Sequence, residues 1–221
     1  MAINLDGWQD YRGDHAGVLV YVETSHQAAV PVRDQLNENG KGFLTEPNYE
    51  TATYGMKKCQ NPRTINSIIR NKHRYLIFGT RYEGFNEVFK DKYLIMGYMR
   101  IDKVKDLRSR HIHQYMANPE SGESEPECVS MDKSMAIWSN DMKFVSLQDC
   151  YVLSEEVMKS WGYKGRVTRQ MKLLLENEKL DQLLDYFSQK EDMTEEYIAT
   201  VQEFVEALEE EEEENQTTPG W

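Results

Sequence analysis

The chain has 221 residues, 39% of them hydrophobic, with a mean hydropathy of −0.73 and a formal net charge of −12. No run of about 18 apolar residues occurs, which excludes a membrane-spanning helix. The charge belongs to one segment: residues 191–221 hold twelve acids and no Lys or Arg, while the other 190 hold 26 of each, so a polyanionic partner for the body is not excluded. The start, MAINLDGW, lacks the basic and apolar regions of a signal peptide. With it, the unpaired number of cysteines (Cys59, Cys128 and Cys150) predicts free thiols in a cytoplasmic protein.

In chain order, residues 1–16 read as an irregular lead-in containing Trp8. Residues 17–23, GVLVYVE, have the β-branched and aromatic composition of a short buried strand. A two-turn helix is expected over 28–37, with Pro31 in its first turn and Asn39-Gly40 ending it. One or two helical turns are expected over 64–70, where Ile65, Ile68 and Ile69 recur. Then nearly the same strand is written twice, YLIFG within Tyr75–Arg81 and YLIMG within 93–101. The loop between the copies exceeds a two-residue hairpin, so packing must set their register.

Residues 117–127 form an acidic loop without periodicity. Ser134–Trp138 and 143–147 are shorter strands around a turn at Asn140-Asp141. Ser154 is placed to cap a helix over 155–161, which Gly162 closes. From 168 the pattern becomes amphipathic: Leu173, Leu180, Leu183, Leu184 and Phe187 share one face. Tyr197, Val201, Phe204, Val205 and Leu208 share another, with Asp192 or Thr194 as cap. An α-helical hairpin is expected there, followed by six glutamates at 209–214. The boundaries expected are a strand-rich domain over 1–153, a helical extension over 154–208 and an acidic tail over 209–221.

The functional signal lies ahead of the first twin strand. Residues 51–82 carry seven bases (Lys57, Lys58, Arg63, Arg70, Lys72, Arg74 and Arg81) and no Asp or Glu. Such a segment suits phosphate contacts, and the interleaved Tyr54, His73, Tyr75, Phe78 and Tyr82 suit unstacked bases. A polar connector with an excess of bases is the plainer account of the same composition. A second basic cluster follows the second twin (Arg100, Lys103, Lys105, Arg108, Arg110, His111, His113), and a third comprises Lys164, Arg166, Arg169 and Lys172. Trp138 stands at a strand end, with Ser139 and Asn140 able to read base edges; Tyr82 and Trp8 complete the expected base-binding set. A buried structural Trp is the plainer account of Trp138. Gly79 and Gly97, inside apolar strands, are read as bends of a barrel wall rather than ligand contacts.

Catalytic signals are absent. His111 and His113 lack the CxxC or HxxxH partners of a closed metal site, and no GxSxG, GxxxxGK[ST] or GxGxxG occurs. Neither metal nor cofactor is expected. Two alternatives stay open. Val18–Val22 followed by Glu23, Thr24, Ser25 and His26 is similar to the first β–α step of a nucleotide-processing α/β enzyme. The C-terminal helices could instead serve an interaction or adaptor protein.

The order RYLIFGTRYE, loop, KYLIMGYMRIDKV, polar insertion, SMAIWSNDMKFVSLQDCYVL resembles the barrel of PUA-like proteins, the superfamily of EVE, YTH and ASCH domains, over residues 17–153. The resemblance implies an α+β fold: a small closed β barrel with flanking helices, to which this chain adds the helical hairpin. It further implies binding of DNA or RNA, with a modified or extruded base held in an aromatic cage and no chemistry of the protein's own. The long acidic C-terminal third departs from that pattern.

Overall fold

A computed structural model describes residues 5–22, 32–33, 44–45, 47–49, 51–57, 62–82, 86–107, 134–163, 174–199 and 203. In chain order the first elements are β1 (Gln9–Asp10), β2 (Ala16–Tyr21), β3 (Val32–Arg33), β4 (Leu44–Thr45), β5 (Thr53–Lys57) and α1 (Pro62–Ile69). The central ones are β6 (Tyr75–Arg81), β7 (Tyr93–Arg100), β8 (Lys103–Leu107), β9 (Ser134–Trp138) and β10 (Met142–Phe144). The chain continues through β11 (Tyr151–Val152), α2 (Glu155–Ser160), β12 (Leu174–Glu176) and α3 (Glu178–Ser188), and residues 194–199 are helical.

The twin strands pair antiparallel as β6 and β7 in the middle of the larger sheet, whose order is β10-β7-β6-β2-β12, with β11 also on β7. Both are near-continuous apolar runs because both faces of this sheet are covered. On one face, Phe78 meets Tyr54 of the second sheet edge-on at 5.3 Å and tilts against Phe144 at the same distance. On the other lies α3: a Cβ at Gly17 would sit 3.0 Å from Leu180 and 3.1 Å from Ile77, and Phe187 packs on Tyr98. The smaller sheet has the order β1-β8-β9-β5. β2 and β6 are parallel, which requires a crossover; the chain makes it through β5 and α1. α1 buries Ile65 and Ile68 and leaves Ile69 exposed. No helix among the described residues is long and apolar enough to cross a membrane.

A mixed α+β fold is as expected; a closed barrel is not. β8 and β9 leave the larger sheet after the β7–β8 corner and pair with β1 and β5, so among the described residues two open sheets face each other. The glycines change meaning accordingly. Gly97 lies opposite Phe144, and a Cβ there would fall 2.1 Å from the Lys143 carbonyl oxygen and 2.9 Å from Phe144 Cα. It permits the close approach of β10 rather than a barrel bend. Gly79 sits at a register shift after Phe78, under the Tyr93 ring, so it marks a bulge.

Two helix expectations also need correction. Val32 and Arg33, inside the helix expected over 28–37, pair antiparallel with Thr45 and Leu44; β-branched Val32 favours the strand, and the rest of that helix lies outside the described residues. Leu174–Glu176 is an edge strand on β2, not helix. Only Leu175 of the three is buried, a period-2 pattern that the unpaired edge of β2 accepts. Asn177, at φ 45°, then turns the chain into α3. There the expected face holds: Leu180, Leu183 and Phe187 are buried, and they belong to the same hydrophobic cluster as Leu76 and Phe78. Ser154 caps α2 as expected, accepting from the Val157 N–H at 3.2 Å. Ahead of the helical residues 194–199, Asp192 Oδ1 accepts from the Thr194 N–H at 3.1 Å, and Tyr197 donates to the Val145 carbonyl at 2.6 Å. Val201, Phe204, Val205, Leu208, the glutamates 209–214, the loop 117–127, Cys59 and Cys128 lie outside the described residues.

Candidate nucleic-acid interface

The seven bases of the acid-free segment divide. Arg63, Arg70 and Lys72 are exposed on α1 and the turn after it. Arg70 is seven positions after Arg63, so the two share a helix face about 10 Å apart. Lys57 ends β5, and Lys58 lies outside the described residues. Arg74 and Arg81 stand at opposite ends of β6, about 23 Å apart at the rise of a strand. Arg81 is paired with Asp91 at 2.7 Å. Tyr82 follows it at that far end, 5% exposed, edge-on to Phe89, with its hydroxyl accepting from the Asn86 N–H at 3.3 Å. Neither Arg81 nor Tyr82 therefore adjoins the other candidates.

At the near end four segments meet in a corner. Ile101 N–H donates to the Arg74 carbonyl (2.7 Å), Asp102 N–H to that of Trp138 (3.1 Å), Arg100 N–H to that of Asp141 (2.9 Å) and Tyr11 N–H to that of Asp102 (2.8 Å). Where β7 turns out of its sheet, its backbone groups thus find partners in other segments. Side chains reinforce the turn. Arg100 donates through Nε to Asp102 Oδ1 (2.9 Å), reaches Asp141 Oδ2 (3.1 Å), and donates through Nη2 to Asn140 Oδ1. Arg74 lies 3.7 Å from Asp102, which is only 14% exposed. The hydrogen bond to Asp102 holds the Arg100 guanidinium firmly charged. Tyr98 donates to Asp141 Oδ1 (3.1 Å), and burial, then the Asp141 charge, push its hydroxyl pKa up.

Strand alternation places the aromatics. Tyr54, Met56, Met135 and Ile137 face the larger sheet, so Thr53, position 57, Ala136, Trp138, Lys103 and Lys105 lie on the opposite face. Trp138 is partly exposed there, in one row with Lys103 and Asp10, which form an ion pair. Trp8 immediately precedes β1, its N–H donating to the Leu5 carbonyl at 3.1 Å, and is 8% exposed. Of the two expected cage walls, Trp8 is buried and Trp138 is partly exposed. Asn140 is exposed in the adjoining turn, whereas Ser139 is buried and works within it: its Oγ donates to the Asp141 carbonyl (2.8 Å) and accepts from the Asp141 N–H (2.9 Å).

His73 does not join the surface. It is wholly buried between Lys72 and Arg74, its Nδ1 2.9 Å from Ser67 Oγ and its carbonyl accepting from the Tyr11 hydroxyl at 2.8 Å. Burial lowers its pKa to about 4, so it adds no charge to the basic run at neutral pH. Sequence reasoning missed the Arg100–Asp102–Asp141 network and the facing of Lys103 and Lys105 with Trp138. The alternation of Lys103, Val104 and Lys105 carried the second signal. Lys164, Arg166, Arg169, Lys172, Arg108, Arg110, His111, His113, Glu23 and His26 lie outside the described residues, and among those described no three metal-ligating side chains cluster. Comparisons with known protein families, curated proteins and solved structures gave no match.

Proposed function

We propose that the protein binds DNA or RNA along the track from α1 to the β7–β8 corner and offers Trp138 to a base, modified or extruded from its stack. The observation that carries this reading is one of position. Arg63, Arg70 and Lys72, exposed and without an acid on their segment, lead directly to Arg74, and Arg74 adjoins the corner that holds Trp138 and Asn140. Cations along a backbone path beside an aromatic face are what a single strand or a flipped base requires. Arg74, Arg100 and Lys103 each have an acidic partner, so the phosphate charge falls to the three cations of α1 and its turn. The likeness to PUA-like domains agrees with this function, and the reading does not depend on a closed barrel. Anisotropy titrations with methylated and unmethylated DNA and with RNA test it. Even sequence-independent binders reach about 10⁻⁴–10⁻⁶ M, so binding no tighter than about 100 µM at low salt for every oligonucleotide refutes the proposal.

A second reading is favoured by the parallel pairing of β2 with β6, since ligands of α/β enzymes bind at the carboxyl ends of such strands. Glu23 and His26 come next after β2 in the sequence. Nucleotide turnover lost in Glu23→Gln and His26→Ala supports it; turnover intact in both removes it.

A further inference from the structure

α1 presents Arg63, Asn66 and Arg70 on an exposed face at i, i+3 and i+7, with Ile69 half exposed beside them and Lys72 in the following turn. Its opposite face is fixed by Ile65 and Ile68 in the core. Among the described residues none of these three cations has an acidic partner, although Arg74, Arg81, Arg100 and Lys103 all do. Among the described residues the face is therefore unpartnered, and its charges are all positive.

The same chain carries its complement. Residues 209–214 are six consecutive glutamates, in a segment with no Lys or Arg from 191 onward. The helical residues 194–199 are anchored to the body through Tyr197, whose hydroxyl donates to the Val145 carbonyl. From 199 to 214 the contour is at most about 50 Å, against a breadth of roughly 40 Å for a compact body of this size. Length does not prevent the glutamates from reaching α1. Carboxylates also offer a guanidinium the same bidentate geometry as phosphates.

We propose that residues 209–214 dock on the Arg63–Arg70–Lys72 face of α1 and compete there with nucleic acid. The consequence rests on the nucleic-acid reading above; the contact itself does not. Exposed ion pairs are each worth about 0.2–1 kcal/mol and are screened by salt, so the segment does not seal the face. Tethering supplies an effective concentration on the order of millimolar, which makes several weak pairs an effective competitor at low salt.

Zero-length carbodiimide coupling of the full chain, followed by peptide mass spectrometry, reads the contact directly. The Lys72 amine is expected to couple to glutamates 209–214 well above Lys92, which is exposed near the far end of β6, and high salt is expected to abolish the difference. Coupling of Lys72 no greater than that of Lys92 at low salt overturns the proposal. A chain ending at Leu208 is expected to bind a single-stranded oligonucleotide about three- to tenfold tighter at low salt, a gain absent when Arg63→Gln and Arg70→Gln are also present. An unchanged affinity on truncation overturns the competition. Selective Lys72 coupling with no oligonucleotide bound by any variant keeps the docking and refutes the functional reading instead.

Discussion

His73 shows how a residue can belong to a basic run in sequence and be excluded from its charge in space. The native protein holds it neutral, with a pKa near 4, by burial, whereas an unfolded chain protonates it near pH 6.5. Between those values the unfolded state binds the extra proton, so stability is fully present above pH 6.5 and falls as the pH drops towards 4. Over pH 6.5 to 5.0 the loss is about 2 kcal/mol. Urea unfolding across that window is expected to show a flatter pH dependence in His73→Gln, by up to one proton; an unchanged slope would mean that another group titrates. The sequence displays His73 among cations and aromatics, but the Tyr11 hydroxyl that bonds its carbonyl comes from 62 positions away, while Ser67 meets its ring from the neighbouring α1.

At the scale of elements, the close approach of β10 to β7 depends on Gly97. Gly97→Ala forces backbone apart, because the added carbon meets Lys143 oxygen and Phe144 Cα, and it is expected to cost about 3 kcal/mol in urea unfolding. Gly162 is the control: it is open around its Cα at φ 77°, so Gly162→Ala is expected to cost only about 1 kcal/mol. Equal losses would contradict the role assigned to Gly97. Phe187→Ala, which uncovers Tyr98 and the α3 face of the larger sheet, is expected to cost about 4 kcal/mol. Elements with strong local patterns were legible: both twin strands, β9, α2 with its Ser154 cap and the buried face of α3. Elements defined by a distant partner were not. β12 exists because β2 has an open edge, and β3 because Leu44 and Thr45 lie opposite it. The glycine roles were missed for the same reason, since the Lys143 carbonyl that Gly97 admits is 46 positions along the chain.

For the whole molecule, the sequence grouped the bases by their neighbours in the chain, and folding regroups them by sheet and corner. Arg81 and Tyr82 go to the far end of β6, while Lys103 and Lys105 arrive beside Trp138. That left three cations and one partly exposed Trp as the working parts of the proposed interface, and they answer to different physical tests. Phosphate contacts set the salt dependence of binding, whereas a stacked base adds affinity largely independent of salt. The decisive measurement is the slope of log K against log salt for one single-stranded oligonucleotide, taken with the wild type, with the Arg63→Gln, Arg70→Gln, Lys72→Gln triple variant, and with Trp138→Ala. The triple variant is expected to reduce the slope by about 2. Trp138→Ala is expected to weaken binding by about 1–3 kcal/mol at an unchanged slope. A wild-type slope in the triple variant together with wild-type affinity in Trp138→Ala would contradict the account.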